Sequence, residues 1–331
     1  MGNHKFKNLC LSFLLLLILS PSFPASSGAG KQVAPVQSAN LIRGISTCLN
    51  RINIPPEEMH WVYVPFSASE LHTEIPFLFL AGQLITNGAV TASQCPAGGL
   101  GADGYANACG LSVAMPTVIQ MQNIYDDAIM KAWTDVGVLP VMLKQLIRYE
   151  SQFWPGPYGA YHYGLGHITY MGAQTALLWN QNLFQEVCAL TPGGSCGQYV
   201  NDTAVFTLLN LMNATCPTCV NKIDIPKAQQ SVHYVAESLL GYCFQTAQVI
   251  YNATGSLSSI VVDYPTIWKL TLLSYNVGAS CVSSAVSTAY DRLDKVPLTW
   301  KEITSYIDDD YCLRGVGYAN TITEKFYNFP P

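Results

Sequence analysis

The sequence predicts a mainly α-helical protein, and three observations carry that expectation. Apolar residues recur at spacings of three and four through several long stretches, the signature of one buried helical face. Strand candidates are few: Trp61 to Phe66, and Ile75 to Leu84, which reads equally well as helix. Half of the 331 residues are hydrophobic and only 11% are charged, enough for one large core or two modest ones and too apolar for disorder. The net charge of −5 leaves no footprint for nucleic acid or for an anionic membrane surface.

The first 30 residues stand apart. Lys5 and Lys7 open a run, Leu9 to Leu19, that is almost wholly apolar, and Pro21 to Gly30 is small and turn-rich. This is the pattern of a secretory signal peptide, since the run falls short of the roughly 20 residues that span a bilayer. The expected location is therefore secreted or periplasmic, with no stable membrane span after cleavage. Of the 11 cysteines, all but Cys10 follow the leader, and the even remainder suggests up to five disulfides. Cys95 with Cys109 and Cys188 with Cys196 bracket glycine-rich loops that local bridges could close. Cys216-Pro-Thr-Cys219 lacks the second close ligand pair that zinc needs, and a redox role usually wants a helix start after a strand, so a disulfide is the simplest reading.

Residues 31–115 read as an irregular, disulfide-rich N-terminal segment. Its loop Cys95 to Cys109 has four glycines but no Gly-Lys-Ser/Thr, which argues against a phosphate cradle. Helical signals begin at Pro116. In Thr117 to Trp133, Val118, Met121, Tyr125, Ile129 and Ala132 share a face, and Gly137 ends the pattern. A second helix starts at Leu139-Pro140 and places Met142, Leu143, Leu146, Ile147 and Glu150 close to one face. The long connection 180–265 holds five cysteines and two helical runs, 203–212 and 229–250, and reads as an ordered insertion within a domain covering 116–331. A further helix runs from Pro265 to Val277.

Glu150 is the chemical focus. It lies where the apolar face leaves its helix, beside Phe153 and Trp154. A carboxyl group half buried against aromatics is pushed towards its neutral form, which suits it to donate a proton near neutral pH. The plainer alternative is a glutamate that pairs with Arg148 or caps a turn.

Glu150-Ser151-Gln152-Phe153, followed by Tyr163-Gly164-Leu165-Gly166-His167-Ile168-Thr169, resembles the soluble lytic transglycosylase family. Leu273-Ser-Tyr-Asn-Val-Gly278 is similar to that family's Ala-Tyr-Asn-Ala-Gly motif, and Trp300-Lys-Glu-Ile-Thr-Ser-Tyr306 looks like its closing segment. The resemblance implies a lysozyme-like fold around a cleft and peptidoglycan glycan strands as partner, with neither cofactor nor metal. It also implies that Glu150 acts first as acid and then as base, without the second carboxylate of ordinary glycosidases. By the same resemblance Ser151 faces the glutamate or the sugar, and Gly164 and Gly166 form a floor over Leu165. Tyr275 and Asn276 line the glycan side, and Tyr306 holds the carboxyl from the opposite wall. His167 replaces the family's usual glutamine, so its contact to the saccharide is the main departure. A goose-type hydrolytic lysozyme, or a non-catalytic glycan-binding protein on the same scaffold, is the alternative. Asp263 and Asp308 are the candidate water-activating carboxylates of a hydrolase.

Overall fold

A computed structural model describes residues 48–49, 59–194, 196–219 and 222–324. Residues 1–30, expected to be a signal peptide, lie outside them, as does most of 31–58. The described chain is mainly helical, with strand pairing limited to isolated bridges. After 3₁₀ turns at His60–Val62 and Ala68–Leu71, α1 spans Leu78–Thr86, so the ambiguous apolar run resolves largely as helix and the expected strand at Trp61 begins as a turn. Helices α2 (Ala108–Asn123), α3 (Asp126–Val136) and α4 (Pro140–Ser151) follow, then α5 (Tyr170–Trp179), α6 (Gln181–Ala189) and α7 (Asp202–Met212). The 30-residue α8 (Ile225–Thr254) and the single turn α9 (Ser258–Val261) lead to α10 (Tyr264–Val277), α11 (Ala279–Leu293), α12 (Trp300–Thr304) and α13 (Asp310–Thr323).

Two sequence boundaries move. Helix α2 starts at Ala108, well before Pro116, because Asn107 caps it by accepting from Gly110 N at 2.9 Å, and Pro116 is tolerated inside. The expected single helix 117–133 breaks between Asn123 and Asp126, where Asn123 is drawn off to bond both backbone groups of Thr73 at 2.7 and 2.8 Å.

Helix α8 is the hub. Asp224 caps its start and Gly255, at φ +70°, its end. It packs against α3, α5, α7, α10 and α11, and its middle is buried on nearly every side, from Val232 through Phe244. Gly241 lets α5 come close, since a Cβ there would stand 2.8 Å from the Ala176 carbonyl oxygen. The stretch expected as an insertion, 180–265, thus supplies the helix around which the others gather. The sequence showed the helix but not its neighbours.

The buried side chains form two clusters. The larger joins α1–α4 to α8, α10, α11 and α13; the smaller, with Leu177, Leu183, Leu208 and Met212, joins α5–α7 to Tyr234 of α8. The ten cysteines from Cys48 to Cys312 pair: Cys48–Cys243, Cys95–Cys109, Cys188–Cys196, Cys216–Cys219 and Cys281–Cys312. Both expected local bridges are among them. Five disulfides fit an oxidising compartment, and no helix among the described residues is long and apolar enough to cross a membrane.

Candidate active site

Helix α4 delivers Glu150 by ending abruptly. Gln152 and Phe153 both adopt left-handed backbone, at φ +46° and +68°, a conformation that bulky residues enter only when their surroundings impose it. Phe153 is buried between Tyr125, stacked at 6.2 Å, and Phe77 at 5.6 Å. The Gln152 side chain accepts from Phe79 N at 3.0 Å. These contacts hold the turn and fix the last helical residues over the core.

The Glu150 side chain is 15% exposed. Burial lifts its pKa from 4.5 to about 7, and a hydrogen bond donated by the Tyr318 hydroxyl to Oε1 works against that rise. No acidic neighbour contributes to the shift. Oε2 faces His167, whose Nδ1 is 3.8 Å away. Burial, with His162 nearby, lowers the His167 pKa to about 4, so the ring is neutral at physiological pH.

The opposite side of the site is the loop after α4. It folds on itself through bridges between Tyr158 and His162 and between Tyr163 and Ile168. Gly164, at φ +65°, lies against α7, where a Cβ would meet the Met212 carbonyl oxygen at 2.3 Å. Gly166 has no room either, with the Tyr275 hydroxyl at 3.0 Å and Val235 of α8 at 3.2 Å from a Cβ position. That hydroxyl donates to the Gly166 carbonyl at 2.5 Å. Leu165 is buried beneath. His167 is itself left-handed, at φ +48°, and its Nε2 is buried without a hydrogen-bond partner. Its ring stacks on Tyr158 at 5.1 Å and 16°.

The structure therefore gathers Glu150, Gly164, Gly166, His167 and Tyr275 at the seam of the two clusters, with Tyr275 packed against both. Two expected contacts differ from those observed. The tyrosine that holds the carboxyl is Tyr318 of α13; Tyr306 is half-buried against the main core in the turn after α12. Ser151 is fully buried and its hydroxyl donates to Ile147 O at 3.1 Å, back into its own helix, which is the ordinary fate of a helix-end serine. Asn276 is exposed at the end of α10.

Tyr318 was missed because the helix carrying it was not read from the sequence. Its signal was faint: Gly315, Tyr318, Ala319 and Ile322 share a buried face, and Gly315 brings α13 close to Leu273 and Val277 of α10. Among the described residues there is no group of three or more His, Cys, Asp or Glu side chains placed to hold a metal ion. Comparisons with protein-family models, with curated proteins and with solved structures find no match.

Proposed function

We propose that this protein is a lysozyme-like lytic transglycosylase that cleaves the β-1,4 bond between N-acetylmuramic acid and N-acetylglucosamine in peptidoglycan. The observation that carries the reading is the Glu150 carboxyl: buried, poised near neutrality, held by Tyr318 and facing the Gly164–His167 floor without an acidic partner. Protonated Glu150 gives its proton to the glycosidic oxygen as the bond to the muramic C1 breaks. The resulting carboxylate then takes the proton of the muramic 6-hydroxyl, whose oxygen closes on C1 to give the 1,6-anhydro ring. Glu150 returns to its starting protonation state and no water is consumed.

A hydrolase needs a second carboxylate to activate water or trap C1. Asp263 is committed elsewhere, capping α10 by accepting from Thr266 N at 2.8 Å, and Asp308 is exposed to solvent after α12. This favours the single-carboxylate route. Purified peptidoglycan digested with the wild type should yield anhydromuramyl ends by mass spectrometry, and Glu150→Gln should reduce their formation by about 10²–10⁴-fold. Reducing ends would replace the reading by hydrolysis, and the absence of any glutamate-dependent product would remove enzymatic cleavage altogether.

A further inference from the structure

The disulfide loop Cys95–Cys109 has no part in the chemistry just described, yet it is built with care. A Cβ on Gly110 would lie 2.0 Å from the Gly99 carbonyl oxygen, and one on Gly82 of α1 would lie 2.3 Å from that of Gly104. Gly101 N donates to Tyr105 O at 2.7 Å, Tyr105 N to Asp103 Oδ1 at 3.0 Å, and Ala106 N to Leu78 O at 3.0 Å. The disulfide closes the base. This scaffold presents one large side chain, Tyr105, which is 38% exposed.

Tyr105 begins a row of rings that ends at the candidate active site. Its ring meets Phe79 edge-on at 5.6 Å, Phe79 meets Tyr158 at 5.4 Å and 87°, and Tyr158 stacks on His167 at 5.1 Å. His167 in turn faces Glu150. Phe79 is buried and tied by its amide to Gln152, two residues after Glu150, so it fixes the spacing while Tyr105 and the 45% exposed Tyr158 offer surface. Aromatic rings held rigidly and half in water are what the apolar faces of sugar rings stack on.

We propose that Tyr105 and Tyr158 are distal sugar-binding platforms, extending the Glu150 site along the glycan strand onto the disulfide loop. The occupant is a run of N-acetylated pyranoses in the strand being cut, so the inference rests on the glycan-cleaving reading. It assigns the loop to strand binding beyond the bond that breaks.

Calorimetric titration of the Glu150→Gln protein, which holds its ligand intact, with N-acetylglucosamine oligomers of three to six sugars tests it. Affinity should rise with length, and Tyr105→Ala should remove that rise, weakening the longest oligomer about tenfold while leaving the shortest within about twofold. Tyr158→Ala, closer to Glu150, should weaken every length. Circular dichroism and thermal unfolding of each variant establish that the loop remains folded, and Tyr105→Phe, which keeps the ring, should restore the length dependence. Equal affinity of Tyr105→Ala and its parent for the longest oligomer would overturn the proposal, as would a parent that binds no oligomer. The peptidoglycan digestion of the wild type decides the cleavage reading independently, because its products do not depend on whether Tyr105 touches sugar.

Discussion

Helix α4 carries two buried ionisable groups, and they are treated in opposite ways. Lys144, 1% exposed, donates to Asp126 at 2.6 Å, to Leu71 O at 2.5 Å and to Asn123 Oδ1 at 3.1 Å. Glu150, six residues on, has one neutral phenol and a neutral imidazole. Burial works against the charge on all of them, lowering Lys144 and raising Asp126 to about 6 and Glu150 to about 7. At the first site every donor is met and the ion pair persists at neutral pH, binding α4 to α3 and to the turn at Leu71. At the second the protein leaves the carboxyl poised between its two states. On the proposed reading the helix uses one kind of burial for anchorage and for reactivity, and the difference lies in how completely the charge is answered.

Breaking the anchored end should have the largest effect on stability. Lys144→Met strands the Asp126 carboxyl, 8% exposed, and the Leu71 carbonyl, and should cost about 3–5 kcal/mol in urea unfolding at neutral pH. Adding Asp126→Leu should recover much of that loss, because a neutral apolar pair has no desolvation to offset. A double variant no more stable than the single one would mean that packing around the lysine stem, rather than the charge, holds these helices together.

The reactive end should respond with the opposite sign. A carboxyl whose pKa is raised on folding contributes its stability below the unfolded value of 4.5 and loses it as pH climbs through about 7. Glu150→Gln, inactive by the argument above, should therefore be more stable than wild type by up to about 3 kcal/mol at pH 8 or so, with the gain vanishing below about pH 4. The same denaturation series run at both pH values checks it.

How much of this contrast could be read from the sequence depends on distance along the chain. The 3,4 spacing from Leu139 to Glu150 placed the carboxyl at the edge of an apolar face, and the glycines at 164 and 166 were expected as a floor for a sugar, where the structure also presses them against Met212 and Val235. Neither signal reaches across the chain. Tyr318 meets Glu150 from 168 positions away, through a helix whose glycines thin its apolar pattern. Tyr306 was favoured because motif order put a tyrosine there, but order says nothing of which helix face turns inward. The sequence gives no signal of the role of Lys144, since its partners lie at Asn123 on α2, at Asp126 on α3 and in the turn before α1. The same gap made α8 read as an insertion: a helix reports its own periodicity and is silent about its neighbours.

Tyr318 sets the balance at the reactive end. Its hydroxyl stabilises the charged carboxyl, so Tyr318→Phe should raise the Glu150 pKa further and carry the alkaline limb of activity, where the proton on Glu150 is lost, to higher pH. The rate should still fall, by roughly tenfold or more, since the carboxylate formed during bond cleavage loses its only hydrogen-bond donor among the described residues. Tyr306→Phe should leave the pH profile where it is. Profiles of both variants on the same peptidoglycan separate a carboxyl-holding tyrosine from one that packs.

Ser151 offers the smallest change and the finest test of where the two ends of α4 divide. It follows Glu150 directly, yet its hydroxyl points into the helix and bonds Ile147 O rather than anything in the site. Ser151→Ala removes one intrahelical hydrogen bond and its donor together, leaving a carbonyl that still accepts the helical N–H of Ser151, for a cost of about 0.5–1.5 kcal/mol. Turnover at saturating substrate should stay within about twofold, because the loss falls on folding and not on the transition state. If turnover drops a hundredfold while stability holds, the hydroxyl must rotate towards Glu150 or the sugar during reaction. The reactive region of α4 would then begin one residue deeper than the carboxyl itself.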